Sequence, residues 1–218
     1  MPTRTPRGLA RRERLVEATA LLVAERGYHQ VGVDEIGAAA GVSGAAIYRH
    51  FAGKQELLVA VIERAVDALM GKARDIIESS ATPIEALDRL VRAHVDFAMS
   101  ETALITVYDQ ESHSLDDVPR RRLRRQQRAY TELWIDVLER VAPESRAALS
   151  VAVHAVFGLL NSVADHHRQL DDEACATKLH DMARMAIEGA IRGLGTDGQT
   201  GGDLGPYLDH PHRPRLGT

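Results

Sequence analysis

Ser43, Tyr48, Arg49, His50 and Lys54 fall within the stretch GVSGAAIYRHFAGK, residues 41–54. A hydroxyl, a phenol, a guanidinium, an imidazole and an ammonium are all hydrogen-bond donors, and no carboxylate interrupts them. Such a set suits phosphate oxygens, which side-chain donors and the free amides of a helix start bind without reading sequence. Arg49 can also reach a base edge. Gly44 and Ala45 bring little bulk, and an alanine methyl can touch a thymine methyl. Packing of a small domain is the other role open to Tyr48, and it is the role expected of Phe51. Upstream, Arg4, Arg7 and Arg11 either follow an adjacent minor groove, as mobile arms do, or remain solvated.

The elements that must hold these donors can be read from punctuation. An apolar helix is expected over 33–40, and Gly41 ends it because glycine takes the left-handed conformation of a tight turn. Val42 plugs that turn. Ser43 is placed to cap the next helix, which is expected to run to about His50. Two short helices joined by a glycine turn make a helix-turn-helix, a unit that seats its second helix in the DNA major groove. A helix over 9–26 precedes it, with Leu15, Ala18, Leu22 and Val23 at helical spacing. Lys54 opens a long helix to about Ser79.

These residues carry a resemblance. Gly27-Tyr28, Ile36, Ala40-Gly41-Val42-Ser43, Ile47-Tyr48, His50-Phe51, Lys54 and Leu57-Leu58 resemble the DNA-binding domain of TetR-family transcriptional regulators, over roughly the first quarter of the chain. The resemblance implies an all-α protein: an N-terminal three-helix DNA-binding domain and a larger helical ligand-binding and dimerisation domain. It implies a homodimer on a palindromic double-stranded DNA operator, released by a small-molecule inducer. Two departures stand out. Val31-Gly32 replaces the family's usual Thr or Ser, which removes a cap and a phosphate-binding hydroxyl. Gly44-Ala45 follows the cap serine where a basic residue and glycine are frequent, so the recognition helix is poor in base-reading groups.

Further along, Thr82-Pro83 starts a helix with threonine as cap and proline in the first turn. A short helix over 104–111, a loop over 112–119 and a long helix over 118–141 follow. Leu123, Gln127, Tyr130, Trp134, Val137 and Val141 share one face of the long helix. With His94, Phe97 and Tyr108 they either line a ligand cavity or form ordinary core. Arg120 and Arg124 flank that stripe and are placed to hold a carboxylate or phosphate, whereas Arg121, Arg125 and Arg128 fall on the solvent side. Because some relatives answer to acyl-CoA thioesters, such a ligand is one candidate inducer.

Pro143-Glu144 is expected to begin a helix buried on two sides, with His154, Phe157 and Asn161 beside the cavity and Val153, Val156 and Leu160 on an apolar face. Asp171-Asp172-Glu173 suits the start of the last helix. Its Leu179, Met182, Ala186 and Ala190, together with that apolar face, are the expected four-helix dimer interface.

Four divisions result: a flexible basic arm (1–8), the DNA-binding head (9–53), the ligand-binding and dimerisation body (54–193) and a Gly/Pro-rich tail (194–218). Within 218 residues of net charge −4, residues 1–54 carry eight basic and five acidic side chains, net +3, which leaves −7 for the rest. A basic head on an acidic body suits end-on contact with nucleic acid. Cys175 is the single cysteine, so no internal disulfide forms, and a cytoplasmic location is expected. The uncharged stretch 147–164 is short for a span and carries Ser150, His154, Asn161 and Ser162, so no membrane contact is expected. His166, His167, His210 and His212 lack partners at ligand spacing; neither metal nor cofactor is expected. An enzyme on a helical bundle is the competing class, but the sequence holds no Glu with His three residues on and no phosphate-binding glycine loop. A DNA-binding dimer that senses nothing is the other alternative.

Overall fold

In the computed structural model, residues 6–142, 145–162 and 172–193 are described, without the side chains of residues 6, 44, 45, 192 and 193. Arg4, Pro143-Glu144, the paired histidines 166–167, Asp171 and the tail with His210 and His212 therefore lie outside the described residues. The described residues form nine α-helices and two short 3-10 turns, with no strand.

Helix α1 (Pro6–Arg26) buries Leu15, Val16, Thr19 and Val23 along the inner face of its C-terminal half. It starts at Pro6, so residues 6–8 are helical rather than part of a flexible arm; proline is well tolerated in a first turn. Helix α2 (Val33–Ala39) presents Ile36 to the core. Gly41 closes it at φ +66°. Its N–H donates to the Ala38 carbonyl (3.1 Å), and the Val42 N–H donates to the Gly37 carbonyl (2.9 Å). This pair of bonds satisfies carbonyls that the helix end would otherwise leave open. Helix α3 (Gly44–Ile47) is one turn long.

Helix α4 (Lys54–Ser79) crosses from head to body and buries Leu57, Leu58, Val61, Ile62, Ala65 and Val66. Helix α5 (Pro83–Ser100) starts as its sequence requires: the Thr82 hydroxyl accepts from the Glu85 N–H at 3.1 Å, with Pro83 in the first turn. Helix α6 (Thr102–Glu111) is longer by two residues than expected. The segment 112–119 is mostly helical rather than a loop: a 3-10 turn (Ser112–Ser114) is followed, after Leu115 and Asp116, by α7 (Asp117–Glu139), whose first turn accommodates Pro119 and gains from the acid Asp117. Helix α8 (Arg146–Asn161) is capped by Ser145, and α9 (Asp172–Gly193) packs against α8 and α5.

Five helices, α4, α5, α7, α8 and α9, enclose the body's core around Trp134, which is fully buried. Helix α6 packs on both α1 and α4, so it joins head to body. Among the described residues, no helix is long and apolar enough to cross a membrane.

Candidate nucleic-acid interface and ligand cavity

The donors around α3 divide by burial. Ile47 and Phe51 are fully buried, so the packing role expected of Phe51 holds. Tyr48 is 60% exposed although it is aromatic, and Arg49 is exposed beside it. Ser43 is exposed at the N-cap position, but its hydroxyl makes no cap hydrogen bond; the expected cap is absent. The second helix also ends sooner than expected, with 48–50 in a turn. Gly44 and Ala45 form its first turn. Arg7 is exposed on α1.

His50 is half-buried, and Lys54 is half-buried at the start of α4 with its Nζ 4.3 Å from the centre of the Tyr28 ring. Burial lowers the Lys54 pKa, against the opposing pull of Glu111 and Glu35. Arg12, which sequence reasoning did not single out, lies over the Phe51 ring at 4.9 Å. At Gly32, where a cap hydroxyl is missing, Glu35 supplies half of a capping box by accepting the Gly32 N–H at 2.7 Å, and it also pairs with Arg26 at 3.0 Å.

A second group ties this surface to the body. The Tyr28 N–H donates to Glu111 Oε1 (2.8 Å), and the Ser114 hydroxyl donates to Oε2 (3.0 Å). The Tyr28 hydroxyl donates to Gln55 Oε1 (2.9 Å), whose Nε2 donates to the Ser114 carbonyl (3.3 Å). Glu111 is buried at the end of α6. Its importance was not visible in sequence, because its Tyr28 partner lies 83 residues away.

In the body, α4, α5, α6, α7 and α8 converge on a cavity lined by Ala65, Val66, Leu69, His94, Phe97, Ile105, Tyr108, Gln127, Tyr130, Phe157 and Asn161. Seven of these, His94, Phe97, Tyr108, Gln127, Tyr130, Phe157 and Asn161, are among the expected pocket residues. The four aliphatic side chains from α4 and α6 were missed, since an aliphatic residue facing a cavity has the same sequence pattern as one facing core. Its free volume is about 60 Å³, room for about two water-sized molecules.

His94 is buried at its polar heart. Nε2 lies 3.1 Å from Asn161 Oδ1, which only accepts, so the neutral ring carries its proton there; Nδ1 then accepts from the Tyr130 hydroxyl, also at 3.1 Å. Burial depresses the His94 pKa to about 4, against the opposing effect of the hydrogen bond it donates to Asn161. Burial likewise raises Tyr130, and raises Tyr108 to about 12. Phe157 stacks on both His94 (5.0 Å) and Tyr130 (5.3 Å).

Four expected pocket residues lie elsewhere. Trp134 backs the cluster, edge-on to Phe157 at 5.1 Å, without lining the space. Arg120 is held by Asp117 and the Leu115 carbonyl (3.3 Å), because its position near the start of α7 puts it beside its own first turn. Arg124 and His154 line a separate surface groove.

The expected dimer residues also divide. Val153, Val156, Leu160 and Leu179 are buried within the chain, since 149, 153, 156 and 160 form the inner face of α8; they are core, not interface. Met182 and Ala186 are exposed and Ala190 is half-buried. Val151 and Met185, both 71% exposed, lie on the outer faces of α8 and α9. Among the described residues, no three His, Cys, Asp or Glu side chains cluster as metal ligands.

Residues 15–61 match the family described as bacterial regulatory proteins, tetR family, and residues 80–194 match the tetracyclin repressor-like C-terminal domain. The chain belongs to the TetR family. Its members are transcriptional regulators and not enzymes, which removes the helical-bundle enzyme alternative for this TetR-family chain. It is 32% identical over 130 residues to the HTH-type transcriptional repressor KstR2 of Mycobacterium tuberculosis; the match spans 59% of this chain and 65% of that one. It is 39% identical over 94 residues to the transcriptional activator FasR of Mycolicibacterium smegmatis, covering 43% of this chain and 42% of FasR. The solved structure of KstR2 of M. tuberculosis shares the fold at a TM-score of 0.70 and 23% identity, over 82% of this chain and 94% of that one. That of AibR in complex with isovaleryl coenzyme A and operator DNA does so at 0.68 and 19%, over 79% and 97%.

Proposed function

We propose that this TetR-family chain is a homodimeric repressor that leaves its DNA operator when a small molecule enters the body. The head, residues 9–53, holds the DNA; the body, 54–193, senses and pairs. The observation that carries this reading is that two helices each touch both sites. Helix α4 bears Lys54 at the head and Ala65, Val66 and Leu69 at the cavity. Helix α6 bears Ile105 and Tyr108 at the cavity and Glu111 on the Tyr28 amide.

Phosphate contact falls to Tyr48, His50, Ser43 and Lys54, with Arg4 and Arg7 on the adjacent backbone or minor groove. Gly44, Ala45 and Arg49 meet the bases. The cavity, at about 60 Å³, is far below the roughly 300 Å³ of a typical ligand site. An inducer therefore selects a wider form in which α4 and α6 are displaced. Turning a 99:1 preference into 1:99 takes a differential affinity of about 5.5 kcal/mol between the two forms. The presence of isovaleryl coenzyme A in the AibR structure supports an acyl-CoA-like ligand as the class to test first. Met182, Met185, Ala186 and Val151 supply the exposed apolar contacts of the dimer.

Selection of genomic DNA fragments on the full-length protein, followed by footprinting, tests the reading. The expected footprint is a palindrome with half-sites one helical turn, roughly 34 Å, apart. A single unrepeated half-site, or no enriched sequence, overturns it.

A further inference from the structure

Beside the cavity, α7 and α8 enclose a surface groove of about 560 Å³ lined by Arg124, Gln127, Arg128, Thr131, Glu132, Ser150 and His154. We propose that this groove seats the anionic head, phosphate or carboxylate, of an amphipathic ligand whose apolar part enters the cavity past Gln127. The inference rests on the sensor reading above and says where the charge of the inducer goes.

Three observations carry it. Arg124 and Arg128 stand one helical turn apart on α7, both exposed, and neither meets a carboxylate among the described residues. Like charges at this spacing repel each other, so an anion between them relieves a cost while gaining charge-assisted hydrogen bonds. Second, the acid lining the groove does not compete: the Glu132 carboxylate is taken by Arg146, which also holds Asp136 and Glu139. The remaining wall, Gln127, Thr131, Ser150 and His154, is polar and holds no further carboxylate. His154 is fixed there by its Nδ1–H, which donates to the Ser150 carbonyl at 2.7 Å.

Third, Gln127 lines both the groove and the cavity and is itself exposed, so the apolar space meets solvent at the residue that stands between the two arginines. Charge outside and aromatic surface inside match a molecule with an anionic end and an apolar end. Of the two arginines expected to hold the anion, Arg124 keeps that place while Arg120 is occupied by Asp117, and Arg128, expected on the solvent side, joins Arg124.

The test uses four probes, octyl phosphate, octanoate, octanol and inorganic phosphate, titrated into the full chain by calorimetry and by quenching of Trp134, the only tryptophan. Octyl phosphate or octanoate is expected to bind at least about tenfold tighter than octanol, as charge-assisted hydrogen bonds require, and whichever of the two is tighter names the head group. Inorganic phosphate is expected to bind weakly and without quenching. Arg124→Gln with Arg128→Gln is expected to bring the anionic probe down to the level of octanol and leave octanol unchanged; both side chains are exposed, so the melting temperature stays as it was.

Equal binding of charged and neutral probes, or an unchanged anionic affinity in the double variant, overturns the groove while the cavity reading stands. Binding of none of the alkyl probes overturns the cavity reading and the groove with it. A double variant that dissociates into monomers, seen by light scattering, overturns the proposal by making the groove an interface between copies.

Discussion

His94 shows how a single side chain can report on the state of the body. The ring is neutral when folded, with a pKa near 4, whereas in the unfolded chain it titrates near 6.5. The unfolded state therefore binds more protons between these values, and stability falls as pH drops from about 6.5 to about 4, by about 3 kcal/mol in all. Replacing His94 with Phe is expected to flatten that part of the curve of melting temperature against pH, while losing the bonds to Tyr130 and Asn161 at neutral pH. Parallel curves for the two proteins would refute the assignment. At the opposite end of the molecule, Tyr48 and Arg49 are exposed and hold up no core. Tyr48→Phe and Arg49→Ala are each expected to weaken operator binding about tenfold, as losing a charge-assisted or phosphate contact does, with no change in thermal stability. A fall in melting temperature instead would make these residues structural.

At the scale of elements, the helix-turn-helix is held by backbone geometry more than by side-chain caps. Ser43 occupies a cap position without capping, and Gly32 has no side chain to cap with, so Glu35 and the glycine turn carry the junctions. Gly41→Ala meets no atom within 4 Å, so its cost is conformational alone, about 1–2 kcal/mol for an L-residue held at positive φ. Hydrogen exchange is expected to show that loss confined to α2 and α3. On α5, Thr82→Ala removes the acceptor for the Glu85 amide and is expected to cost about 1 kcal/mol in chemical unfolding. The same comparison explains which elements were legible beforehand. Thr82-Pro83 and Gly41 act on their immediate neighbours, so their elements fall where sequence places them. The long helix expected over 118–141 falls at 117–139, with Pro119 inside its first turn, where proline is tolerated.

For the whole molecule, the outer faces of α8 and α9 leave Val151, Met182 and Met185 uncovered in a protein whose proposed function needs two heads. Met185→Glu is expected to yield a monomer by analytical ultracentrifugation, with palindromic binding lost and the protomer's fold retained. A dimer that persists would place the interface elsewhere. Helices α4 and α6 each run from the head to the cavity, and the Glu111–Tyr28 bond lies at the head end of α6.

The all-α class, the helix-turn-helix and the donor-rich stretch 41–54 were determined by local rules: glycine conformation, capping types and a 3.6-residue period act within a turn or two of the chain. The aromatic identity of the cavity was half legible for the same reason, since Tyr130, Trp134, His94 and Phe157 sit at helical spacing on their own elements. Which of them line the space, that Trp134 backs it, that Val153 and Leu160 face inward while Val151 faces out, and that Glu111 meets the Tyr28 amide were decided only by the tertiary structure. A helix face knows its own periodicity but not its neighbour, and a buried leucine, a cavity leucine and an interface leucine share one sequence pattern until the packing of other helices assigns them different surroundings.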